Sequence, residues 1–86
     1  VKITFTLKSK DGFIASLDTD SLNTLLPEKG DAIAFTGIEN QPFTAALAKV
    51  SEIFNVVDIQ TPEVFLVVAC QLTEELPIPV DFREVF

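Results

Sequence analysis

Carboxylates are the one plentiful kind of reactive group in this sequence: thirteen Asp and Glu stand against six Lys and Arg, with no His and a single Cys. Two close pairs, Glu74 with Glu75 and Asp81 with Glu84, have the composition of an acid–base couple of the glycosidase kind. Such a couple works only across a cleft, and a small domain has little room for one. The pairs also flank Pro77 and Pro79 in a stretch that reads as exposed, so a solvated surface role is expected. Asp18 and Asp20 offer closely spaced oxygen ligands, but no EF-hand loop follows them, and turn or helix capping is their expected work. Cys70 lies between Ala69 and Gln71 with no cation near it in sequence, so it reads as a packing residue and not a reactive thiol.

The missing residue types exclude whole classes of site. One thiol and no imidazole cannot build a zinc centre of the usual kind, a Ser-His-Asp triad or a Cys-His pair. No cofactor and no metal are expected, and no enzymatic activity. Cys70 has no partner for an internal disulfide, so the fold must rest on its apolar core and a reducing, cytoplasmic setting is expected. The longest purely apolar run, Val64 to Cys70, has seven residues against the roughly 18–20 that span a bilayer. No leader-like segment precedes the first strand pattern.

Charge is unevenly placed. Residues 1–30 balance Lys2, Lys8, Lys10 and Lys29 against Asp11, Asp18, Asp20 and Glu28, so the whole net charge of −7 belongs to residues 31–86. Nucleic acid and anionic membrane both need clustered Lys and Arg, and neither is an expected partner. A protein with a basic surface is compatible with this charge. The eight Phe residues lack the basic companions that base stacking requires and are expected in a core or an interface.

The elements that would position these groups read mainly as strands of one domain, residues 1–86. Val1, Ile3, Phe5 and Leu7 alternate with Lys2, Thr4, Thr6 and Lys8, the period of a half-buried strand. Ser9-Lys10-Asp11-Gly12 is a turn, and Phe13, Ala15 and Leu17 alternate again, so residues 1–18 predict a β-hairpin. Asp20 or Ser21 can cap a short helical turn near 21–26 that Pro27 stops. Asp31–Thr36 predicts a strand, and Val80–Phe86 a short last one.

Residues 43–57 carry two patterns. On helical spacing Phe43, Ala46, Leu47, Val50, Ile53, Phe54 and Val57 form one apolar stripe, which gives an α+β alternative with a helix at about 41–54. As a strand the segment needs a bulge near Ala48-Lys49 to explain its broken alternation. Residues 63–72, by contrast, are apolar on both faces and rich in β-branched side chains, with Glu63 before and Glu74-Glu75 after as gatekeepers.

The segment Leu26-Pro27-Glu28-Lys29-Gly30-Asp31-Ala32-Ile33-Ala34-Phe35 resembles the LPxxGDxIxF stretch of small SH3-like barrel proteins. An opening hairpin, the spacing of Phe43-Thr44-Ala45-Ala46-Leu47-Ala48-Lys49-Val50, and Pro62-Glu63-Val64 before an aliphatic strand follow the same order, over residues 1 to about 72. The resemblance implies a mainly β, antiparallel SH3-like barrel or roll, and it carries no catalytic residues. Tertiary context routinely overrides local periodicity, so the barrel is preferred to the helix over 43–57.

The expected function is that of a small acidic binding module, protein-binding and self-associating. Hydrophobic residues make up 48% of a chain whose size leaves much surface exposed, and a homo-oligomer relieves that load. The strand at 64–72 supplies the candidate interface. Val64, Leu66, Val68, Cys70 and Leu72 on one side and Phe65, Val67 and Ala69 on the other are both apolar, and one barrel interior takes only one of them. The other, with Phe65, Val67 and Ala69 as the candidate, must be covered by a loop, the C-terminal segment or a second subunit. Two alternatives stand beside it. An acidic inhibitor or nucleic-acid mimic would show carboxylates in rows on one face. A small-molecule-binding barrel would show a Phe-lined apolar pocket.

Overall fold

The computed structural model describes residues 2–20 and 26–76. Five strands follow one another: β1 (Lys2–Ser9), β2 (Gly12–Thr19), β3 (Ala32–Thr36), β4 (Ala45–Asp58) and β5 (Glu63–Leu76). They form one sheet in the order β2-β1-β5-β4-β3, antiparallel at every pair except β1–β5. The sheet curls into a half-barrel, and the described residues contain no helix. The expected helical turn near 21–26 falls outside the described residues except for Leu26, which is in no regular element. The strand expected at 80–86, with Asp81 and Glu84, lies outside them altogether.

The hairpin of β1 and β2 turns at Gly12, whose φ of 129° is open to glycine and strained for other residues. Ile14 is the extra residue of a bulge against Leu7 and Lys8, and it packs onto the core. The Pro27–Asp31 segment is a closed turn. The Glu28 N–H donates to the Asp31 carboxylate at 2.8 Å, and the Asp31 N–H returns to the Glu28 carbonyl at 3.0 Å. Gly30 takes a φ of 94° there. The turn then docks on β4, where Gly30 N–H donates to the Val50 carbonyl at 2.8 Å. A capping Asp and a left-handed Gly thus account for the Gly-Asp motif without any ligand chemistry.

Residues 45–58 form a strand, not a helix, because β4 is paired on both sides over its first half. Its alternation is broken once, at Ser51 and not near Ala48-Lys49 as expected, and β5 carries a second bulge opposite β4. Ser51 is the extra residue between Val50 and Glu52, and Thr73 of β5 is the extra residue opposite Leu47 and Ala48. Both are hydroxyl residues whose side chains donate across the ladder. Ser51 Oγ bonds the Ala69 carbonyl at 3.1 Å, and Thr73 Oγ1 bonds the Leu47 carbonyl at 2.9 Å. β5 is longer than the sequence pattern predicts. Glu74 and Glu75 belong to the strand, opposite Leu47 and Ala46, and do not lie beyond its end.

The concave face holds the core. Leu7, Val50, Val68 and Cys70 meet there, with Ala46 and Ala48 beside them, and Ile38 and Phe43 of the β3–β4 connection fold over them. Ile38 N–H donates to the Thr44 carbonyl at 3.0 Å and closes that connection. Small side chains on β4 leave room for the Phe43 ring. Among the described residues no helix is long and apolar enough to cross a membrane.

Candidate functional site

The two faces of β5 meet different surroundings. Val68 and Cys70 point to the core and are fully buried. Burial pushes the Cys70 thiol up to about 11, and Sγ lies 3.8 Å from the Val68 carbonyl, as expected of an inert packing residue. Phe65, Val67 and Ala69 alternate with them on the outer, convex face. Phe65 and Ala69 are half-buried there, and Val67 keeps 9% of its surface.

The strand register identifies their neighbours. On the β4 side Val56 stands opposite Phe65, Phe54 opposite Val67, and Glu52 opposite Ala69. On the β1 side the partners are Lys2, Thr4 and Thr6. The outer face is therefore split. Toward β1 and β2 it is polar: Thr4 Oγ1 donates to the Asp18 carboxylate at 2.9 Å, and Lys2 Nζ sits 3.4 Å from the same group and 5.7 Å from the centre of the Phe65 ring. The Thr4 bond above all holds Asp18 below the usual carboxylate range; desolvation opposes it and Lys2 adds to it. Asp18 thus links β2 to β1, where the sequence predicts a turn or helix cap. Toward β4 the face is apolar, formed by Phe54, Val56, Phe65, Val67 and Ala69.

Phe54 is 47% exposed on this face; Val57 and Val64, opposite one another, are exposed on the other face of the sheet, and Ile59, at 90%, in the turn. Four of the seven large exposed hydrophobic residues among those described thus lie on the far half of β4–β5. The helical alternative sets Phe54 and Val57 on one apolar stripe, and the preferred strand reading does not say which of them faces out. The signal that finds them is the hairpin itself: the Asp58 carboxylate accepts from Gln60 and Thr61 N–H, at 2.9 and 3.2 Å, which fixes the turn and with it the register back to Phe54. Those two bonds, Thr61 first, hold Asp58 below the usual carboxylate range.

The curl of the sheet leaves a second feature. Phe13 and Leu17 of β2 face Phe35 of β3 and the following Ile38 across an open cleft of about 410 Å³. The acids of the hairpin do not form an evenly spaced row. Asp58 stands opposite Glu63 at one end, Glu74 and Glu75 lie at the other, and Glu52 is between. Among the described residues no group of three or more His, Cys, Asp or Glu side chains is arranged to hold a metal ion. No protein-family model, curated protein or solved structure matches the chain.

Proposed function

We propose that this chain is a small acidic protein-binding module of the SH3-like barrel class, without enzymatic activity, and that it self-associates through the outer face of β5 and β4. One observation supports this above the others: large apolar side chains on the far half of the β4–β5 hairpin are left exposed. Phe54 lies beside Val56, Phe65 and Val67 on the outer face, and Val57, Val64 and Ile59 are exposed at the end of the hairpin. Contiguous apolar surface of this kind marks interaction sites on small proteins. A two-fold contact would set this patch against its own copy, with the polar Lys2–Thr4–Asp18 margin as its rim.

The test is Val67→Lys, read by light scattering beside the parent. An unpaired ammonium in an interface costs several kcal/mol, enough to dissociate a modest dimer. The expected result is a larger species from the parent and a folded monomer from the variant. Val67 is already buried in the single chain, so unfolding of its Lys variant would report on the fold and leave the question to Phe54→Lys, at a half-exposed site, which should give the same reading with little demand on the fold. A monomeric parent at high concentration refutes the proposal. A second reading, the small-molecule barrel, draws support from the Phe13–Leu17–Phe35–Ile38 cleft, whose size is that of ligand pockets. Titration with an apolar fluorescent dye, compared between parent and Phe35→Ser, separates it from the first.

A further inference from the structure

We infer that the outer edge of β4 beyond Val50 is a docking strand for an extended segment of another protein in which apolar and basic residues alternate. The inference rests on the binding-module reading but uses the backbone edge of β4 and not the sheet face of the self-association, with Phe54 and Val57 bordering both.

β3 covers β4 only as far as Lys49, opposite Ala32. The last bonds on that side belong to Val50, whose N–H donates to the Asp31 carbonyl at 2.9 Å and whose carbonyl accepts from Gly30. From Ser51 to Asp58 no strand among the described residues lies along this edge. Eight residues are the length of an ordinary strand, and their outward backbone groups are a template for one more.

Proteins usually guard such an edge with charge, proline or a bulge. Here the bulge at Ser51 and the Glu52 carboxylate, 3.7 Å from Lys29 Nζ, guard only its start. Ile53, Phe54, Asn55, Val56 and Val57 carry no charge and no proline. Phe54 and Val57 have opposite parity along the strand and are both exposed, so an added strand finds apolar contact on either face.

Charge selects the occupant. From Val50 to Leu76 the chain has five acids and no Lys or Arg, and Glu52, Asp58 and Glu63 surround the free edge. A second copy paired antiparallel about the apolar stretch would bring Glu52 beside the Asp58 of its partner, an unfavourable like-charge approach. A strand with alternating Lys or Arg meets acids instead, and its backbone supplies the affinity by β-augmentation.

The experiment titrates the full chain with a blocked octapeptide alternating Lys and Val. Two controls accompany it: the same peptide with Glu for Lys, and the Lys peptide N-methylated at its four central amides. Amide hydrogen exchange locates the contact, and sedimentation of the same samples reports the protein's own association. The expected result is slowed exchange at outward amides of residues 52–58, with binding at least tenfold weaker for each control. Equal binding by the N-methylated peptide overturns the inference, as does protection at β2 or β3 or no binding at all. Edge protection that grows with protein concentration alone also overturns it, in favour of a second copy. Lost peptide binding with association intact refutes the docking strand only, while peptide binding by a strict monomer refutes the self-association only.

Discussion

β4 is one strand with two fates. In its first half Ala45, Ala46, Ala48 and Val50 are buried, although three of the four are among the smallest apolar side chains. In its second half Phe54 and Val57 are larger, and both are exposed. Side-chain hydrophobicity therefore does not decide burial along this strand; the neighbours do. β3 flanks the first half, Phe43 and Ile38 cap it, and Cys70 stands opposite Val50. Past the Ser51 bulge no further strand among the described residues flanks it. What the first half teaches is how a small sheet fills a core with alanine and one ring. The second half presents the surface that a partner would bury.

The largest expected effect that sharpens this contrast is a pair of truncations. Phe43→Ala removes the ring over the alanine-lined floor and should cost about 3–5 kcal/mol of stability. Phe54→Ala, at a half-exposed site, should cost well under half as much in dilute monomeric protein. Denaturant unfolding measures both, and equal losses would break the distinction between the halves.

A smaller effect appears in the pH dependence. In the folded chain the Cys70 thiol is raised from an ordinary value of 9.0 to about 11, because burial disfavours the thiolate. Above pH 9 the unfolded chain ionises this group while the folded chain does not. Stability should thus be full below pH 9, decline between pH 9 and about 11, and fall no further from this group beyond. Parent and Cys70→Ala unfolding curves, subtracted at each pH, isolate the contribution from that of the lysines. A difference that stays flat across this window would place Cys70 in an open part of the sheet.

The same contrast explains what the sequence made legible. The opening hairpin, β3 and the buried β5 strand were readable because their alternation or β-branched content has one interpretation. The β4 segment was ambiguous for a physical reason. Its bulge at Ser51 moves the core-facing positions from Ala46, Ala48 and Val50 on to Ile53, out of a period of two and into an accidental helical stripe. Ser51 and Thr73 each spend a hydroxyl on the carbonyl of the strand opposite, a pattern that local sequence does not display. Phe65, Val67 and Ala69 could be set apart from Val68 and Cys70 by parity alone. Their neighbours Phe54 and Val56 could not, since those depend on the hairpin register fixed at Asp58. The end of β5 was read too early because Glu74 and Glu75 look like a stop. On the outer faces and free ends of a strand, charge is compatible with continued pairing.

The claim that the far half of β4 and the outer face of β5 are a contact surface is tested most directly by sedimentation equilibrium of the unmodified protein over a wide concentration range. The account predicts a mass that rises with concentration above the 9.4 kDa of one chain. A mass that stays at 9.4 kDa up to millimolar concentration would contradict it.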